Sequence, residues 1–157
     1  DVYKRQRGYR FDEDLAYAVL AGFDGDHKAA IEFLVAALSN RPYLEDRAIY
    51  PMYEIVDLAD RLYERTGFRG YRDFALDLSR RHTVILPMHA WAYFVVAEYS
   101  EAQAERIKAT ASGLHLDPLS ERGSKLPKDV LDAADELLEK SGPPFLHRTE
   151  KDLPQST

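Results

Sequence analysis

The chain of 157 residues contains no cysteine. That excludes a disulfide framework and any thiolate-bound metal, and it leaves the redox compartment open. Long apolar runs are also missing. The longest, Ala90 to Ala97, falls far short of the roughly 20 residues that cross a bilayer as a helix, and no secretory leader is legible. There is no concentrated basic stretch: 27 acidic against 21 basic residues give a net charge of −6, the wrong balance for gripping a nucleic-acid backbone. Arg80-Arg81-His82 is too short for such a footprint. Asparagine is scarce and arginine plentiful, which fits a GC-rich bacterial source, in the cytoplasm or as a domain of a membrane-attached protein.

An initiator methionine is lacking as well. Asp1-Val2-Tyr3-Lys4-Arg5-Gln6 resembles the in-frame translation of a transposon-end sequencing adapter. Residues 1–6 are therefore expected to be adapter-derived and set aside from fold reasoning, with native sequence starting near Arg7 and an upstream part missing. The other reading of these residues is an ordinary basic N-terminal arm. Residues 7–141 are expected to form one helical domain, and the polar residues 142–157 a disordered tail. What is present, 45% hydrophobic and 31% charged residues, is the composition of a globular protein with a real core.

Helical periodicity dominates. Asp12 or Asp14 is placed to cap a helix running to about Ala21, with Leu15, Ala18, Val19 and Gly22 along one side. After the turn Gly22 to Asp26, residues 27–39 carry Ala30, Ile31, Leu34, Ala37 and Leu38 at the spacing of a buried stripe, and Pro42 stops the helix. Residues 43–50 read as a connection. Pro51 suits the first turn of a helix to Thr66, with Ile55, Leu58, Ala59 and Leu62 inward. Gly67-Phe68-Arg69-Gly70 lacks the lysine ending of a phosphate loop and reads as a turn before a helix over 71–81, with Phe74, Ala75 and Leu78 inward. From Pro87 to Tyr99 the apolar residues follow no strict period, so helix is expected and a buried strand is the alternative. Helices over 102–112 and 127–140 follow, the last with Val130, Leu131, Ala134, Leu137 and Leu138 inward and Gly142-Pro143-Pro144 after it.

The segment Gly25 to Pro42 resembles the second helix of a tetratricopeptide repeat. Ala30 and Ala37 stand where that family has small residues, Leu34 where it has a large apolar one, and Pro42 at its terminal proline. Ala18 matches in the preceding helix, without the family's Trp and Gly. A second unit ending at Pro87 matches at Leu62, Gly70 and Ala75, with His82 in a small-residue place; a third, ending at Pro118, matches at Tyr93 and Ala97 only with a shortened turn. The terminal prolines stand 45 and 31 residues apart, against a family period of about 34. The resemblance implies an all-α fold of antiparallel helix pairs, a short irregular solenoid of about seven helices. It also implies a non-catalytic scaffold that binds protein or peptide in a concave groove. Carried over position by position, that groove takes Leu15 and Val19 from the first unit, Asp57, Asp60 and Glu64 from the second, and Trp91, Phe94 and Glu98 from the third. Acids and aromatics stand where the carboxylate-clamping variant has Lys, Asn and Arg, so a basic or neutral ligand is expected.

Few residues point to chemistry. Asp57, Asp60 and Glu64 share a helix face, either to attract a basic peptide or to pair with Arg61 and Arg65 in solvent. His82 and His89 flank a loop and can meet at a metal, but no third ligand stands at telling spacing; otherwise His82 is a helix-end cation favoured by the dipole. Trp91, Tyr93 and Phe94 are either core or a ligand-stacking surface. Ser100, Ser112 and Ser120 have no nucleophile-elbow context. No catalytic residue, metal or cofactor is expected, and oligomeric state is left open. The alternative reading is the C-terminal helical or regulatory portion of a larger bacterial enzyme or membrane protein.

Overall fold

The computed structural model describes residues 2–40 and 49–141, with the side chains of 2–9 and 49–51 excepted. Among these residues every regular element is helical: α1 (Val2–Phe23), α2 (His27–Ser39), α3 (Ile49–Thr66), α4 (Arg69–Ile85), α5 (Ala90–Tyr99), α6 (Gln103–Leu116), α7 (Glu121–Ser124) and α8 (Lys128–Ser141). The all-α class with helices in antiparallel-type pairs is thus the fold. The chain divides into two compact units, and the boundary falls between Leu78 and Ser79, inside α4.

In the first unit α1 packs on α2, and both pack on α3. The turn between α1 and α2 depends on Gly25, whose φ of +85° lies in the left-handed region that side chains disfavour. Asp26 then caps α2: its carboxylate accepts the Ala29 N–H at 3.1 Å. Ala30, Leu34 and Ala37 bury one stripe completely, as does Ala18 on α1, while Ile31 and Leu38 flank it half-buried. Small residues permit this closeness. A Cβ on Gly22 would stand 2.8 Å from Leu62 Cδ2 and 3.0 Å from the Tyr71 hydroxyl. Asn40 closes α2 through its N–H on the Ala36 carbonyl at 2.9 Å. Pro42 and residues 43–48 of the expected connection lie outside the described residues.

The start of α1 corrects the sequence reading. The helix begins at Val2, so neither Asp12 nor Asp14 caps it. Asp14 instead accepts from the Asn40 amide at 3.1 Å, tying α1 to the end of α2, and Phe11 is buried. On α3, Ile55, Val56, Ala59 and Leu62 form the buried face, and Leu58 is half-buried. Gly67, with φ of +70°, makes the turn into α4. The buried Tyr71 hydroxyl there is hydrogen-bonded to His27 Nδ1 at 2.7 Å, and Phe68 stacks on the imidazole at 4.4 Å.

In the second unit α4 continues to Ile85, past the expected end at Arg81; Thr83 Oγ1 donates to the Arg80 carbonyl at 2.7 Å. The segment after Pro87 is helix, not strand, and its missing period has a simple cause. α5 buries Ala92, Phe94, Val95, Val96, Ala97 and Tyr99, residues spread round most of its circumference. Arg106 Nε donates to the Ala97 carbonyl at 2.9 Å, holding α6 against α5. α8 lies on α6 with their first turns adjacent, Gln103 Nε2 approaching Asp129 Oδ2 at 3.4 Å, and it buries Val130 and Ala134. The short α7, not anticipated from sequence, is capped by Ser120, whose Oγ accepts the Gly123 N–H at 3.2 Å. Residues 142–157, including Gly142-Pro143-Pro144, lie outside the described residues. No helix among those described is long and apolar enough to cross a membrane.

Candidate functional site

Among the described residues each unit carries a cleft. In the first unit α1 contributes Leu15, Ala16 and Val19, and α3 contributes Glu54, Asp57, Leu58 and Arg61. The α3 spacing, i, i+3, i+4, i+7, puts all four on one helical face. The cleft encloses about 290 Å³. Leu15, Val19 and Leu58 make a half-buried apolar floor, and acids stand at its edge. Asp57 is paired with Arg61 at 3.1 Å. Glu54 is held above the usual carboxylate range, first by partial burial and then by the negative charge of Asp12. Asp57 is thus balanced by Arg61, and the acidic character of the edge comes from Glu54 beside Asp12.

Three of the expected groove residues, Leu15, Val19 and Asp57, meet in this cleft. Asp60 does not line it: one turn beyond Val56, it faces the packed side and is only 8% exposed. Glu64 is exposed, beyond the end of the cleft lining. The third expected set does not form an open face. Trp91 is half-buried with its ring 4.6 Å from that of His82. Glu98 is ion-paired with Arg122 at 2.7 Å. Phe94, 1% exposed, lies inside the core, where Cβ atoms on Gly113 and Gly123 would come within 2.6 and 2.7 Å of its ring. Expecting Phe94 in a groove is thereby corrected; it is a packing residue.

His82 and His89 do meet, Nε2 to Nδ1 at 2.8 Å. Burial, then the neighbouring His89, push His82 down to about 4, and burial lowers His89. Near neutral pH both rings are uncharged, one donating and one accepting. His82 sits in the last turn of α4, yet it is 1% exposed and carries no charge for the helix dipole to favour, contrary to the sequence reading. No group of three or more His, Asp or Glu among the described residues is arranged to hold a metal ion.

The cleft of the second unit was not foreseen. It encloses about 300 Å³ between Arg80, Thr83 and Val84 of α4, Tyr93 and Val96 of α5, and Glu105, Lys108, Ala109 and Ser112 of α6. Its signal in the sequence is the α6 stripe at i, i+3, i+4, i+7, where small residues leave room beside a charged pair. Arg80 grips Glu105 through Nη2 at 2.7 Å and Nε at 3.2 Å, and Ser100 Oγ donates to the same carboxylate at 2.5 Å. Hydrogen bonds from Arg80, helped by Ser100, hold Glu105 below the usual carboxylate range against the opposing effect of burial.

The chain matches no protein-family model, no curated protein and no solved structure.

Proposed function

We propose that the protein is a binding module without chemistry of its own, a tetratricopeptide-like scaffold whose first unit receives a peptide of basic and apolar character. One observation carries this reading: Leu15 and Val19 of α1 and Asp57 of α3 line a common cleft with an apolar floor and an acidic edge. Apolar floors desolvate a partner's side chains, and acids at the rim select the sign of its charge. The repeat-like character is supported by the complete burial of Ala18, Ala30, Leu34 and Ala37, the small and large positions that carried the resemblance.

The test is a double substitution, Glu54→Lys with Asp57→Lys, on exposed and half-buried positions of α3. Asp60→Lys is unsuitable, because Asp60 is packed. Fluorescence titration with short peptides alternating Lys and Leu should show binding that weakens about tenfold in the variant at low salt, with the difference shrinking as salt rises. Equal binding by both proteins at low salt removes the acidic cleft from the mechanism. Preference for Glu-Leu peptides over Lys-Leu peptides removes the ligand class.

A further inference from the structure

The cleft of the second unit has the opposite character. We infer that it is a site for a single-headed amphiphilic anion, such as a medium-chain or aromatic carboxylate, with the hydrocarbon between Tyr93, Val96 and Ala109 and the head at Lys108. This inference is independent of the first-unit peptide cleft.

Which polar groups are already engaged decides the ligand. Thr83 Oγ1 donates to the Arg80 carbonyl at 2.7 Å, Tyr93 Oη to the Pro87 carbonyl at 2.9 Å, and Ser112 Oγ to the Lys108 carbonyl at 3.0 Å. Every hydroxyl of the lining has thus given its proton to the backbone. Arg80 and Glu105 neutralise each other in a fork, and Glu105 takes a further hydrogen bond from Ser100. Lys108 is exposed, and its side-chain ammonium forms no hydrogen bond or ion pair with the described residues. The lining therefore offers apolar walls and one uncommitted cation.

That combination excludes ligands needing many partners. A sugar would find no free hydroxyl donor, and a nucleotide's polyphosphate would meet one lysine where several donors are required. A cation would face Lys108 with its only carboxylate already held by Arg80. One hydrocarbon or aromatic group with one negative head satisfies what remains. The volume, about 300 Å³, is at the small end of ligand clefts, which suits a chain of about ten carbons. Val84, 81% exposed at the mouth, extends the apolar wall outward.

The experiment titrates the full chain by calorimetry with sodium decanoate, decanol and decyltrimethylammonium, each below its micelle concentration. Decanoate should bind saturably and more tightly than the other two. Lys108→Met keeps the stem and removes the charge; it should weaken decanoate about tenfold and leave decanol unchanged. Val84→Asp, at a position 81% exposed, should also weaken decanoate by placing a like charge at the mouth. Circular dichroism confirms that both variants keep their helix. The inference is overturned by absence of saturable decanoate binding, by equal affinity for the ammonium analogue, or by wild-type affinity in Lys108→Met.

Discussion

At the residue scale, Phe94 shows how a buried ring dictates its neighbours. It occupies the space that side chains on Gly113 and Gly123 would need, and it is itself sealed from solvent. Two effects oppose each other when either glycine becomes alanine. In a helix interior the exchange gains up to about 1 kcal/mol in propensity, while overpacking a filled core costs about 1–3 kcal/mol. The ring has little room to retreat, so overpacking should win. Gly113→Ala is expected to destabilise the protein by about 1–2 kcal/mol in urea unfolding. Combining it with Phe94→Leu should give a smaller loss than the two single losses added together, since the smaller side chain relieves the clash. Strict additivity, or a stabilised single variant, contradicts the packing account. The sequence leaves Phe94 open between core and a ligand-stacking surface, and its glycine neighbours are not legible there. The repeat position alone places Phe94 in the groove, and position along a helix does not say which face the neighbouring helices cover.

Helices were legible where their ends carried chemistry and their faces carried a period. α2 was bounded at His27 and Ser39 from sequence, and the structure returns those bounds. Gly25 supplies the turn, Asp26 the cap, and alanines the close approach. Asp26→Ala should therefore cost about 1 kcal/mol, the usual worth of an N-cap. A second readout is available at Tyr71, whose hydroxyl is pushed up by burial and then by the Asp26 charge. Spectrophotometric titration should show one tyrosine ionising at lower pH in the variant; an unmoved titration curve together with unchanged stability would separate Asp26 from both roles. Other elements were harder for physical reasons. α5 is covered on most sides, so periodicity had nothing to report. α7 spans four residues, too few for any period. α4 runs past the expected end at Arg81 to Ile85, with Thr83 satisfying its hydroxyl on the preceding turn. The second-unit cleft is harder to read because the α6 stripe is only one of its walls, and the other two come from α4 and α5.

For the molecule as a whole, the paired histidines make stability depend on pH in a defined direction. His82 is pushed down from an ordinary 6.5 to about 4, and burial lowers His89 too. The unfolded chain therefore binds protons that the folded one refuses. Stability contributed by the neutral pair is complete above the unfolded value, declines as pH falls from about 6.5 towards 4, and levels off below the folded value. For His82 the full effect is on the order of 3 kcal/mol. Glu105 adds a loss in the same direction at lower pH, because its folded carboxyl is held below the usual range; Glu54, held above that range, opposes it. Between 6.5 and 4 the histidine loss and the opposing Glu54 effect overlap, so the histidine share is read by removing His82. Trp91 is the only tryptophan in the chain, and its ring lies 4.6 Å from His82, so its fluorescence reports this neighbourhood directly. Urea unfolding followed at Trp91 should show midpoints that fall steadily between pH 6.5 and 4.5. His82→Leu removes the titrating group and should flatten that slope, even though His89 loses its partner and stability at pH 7 changes. A slope as steep in the variant as in the parent would mean that the acid sensitivity resides in the carboxylates instead.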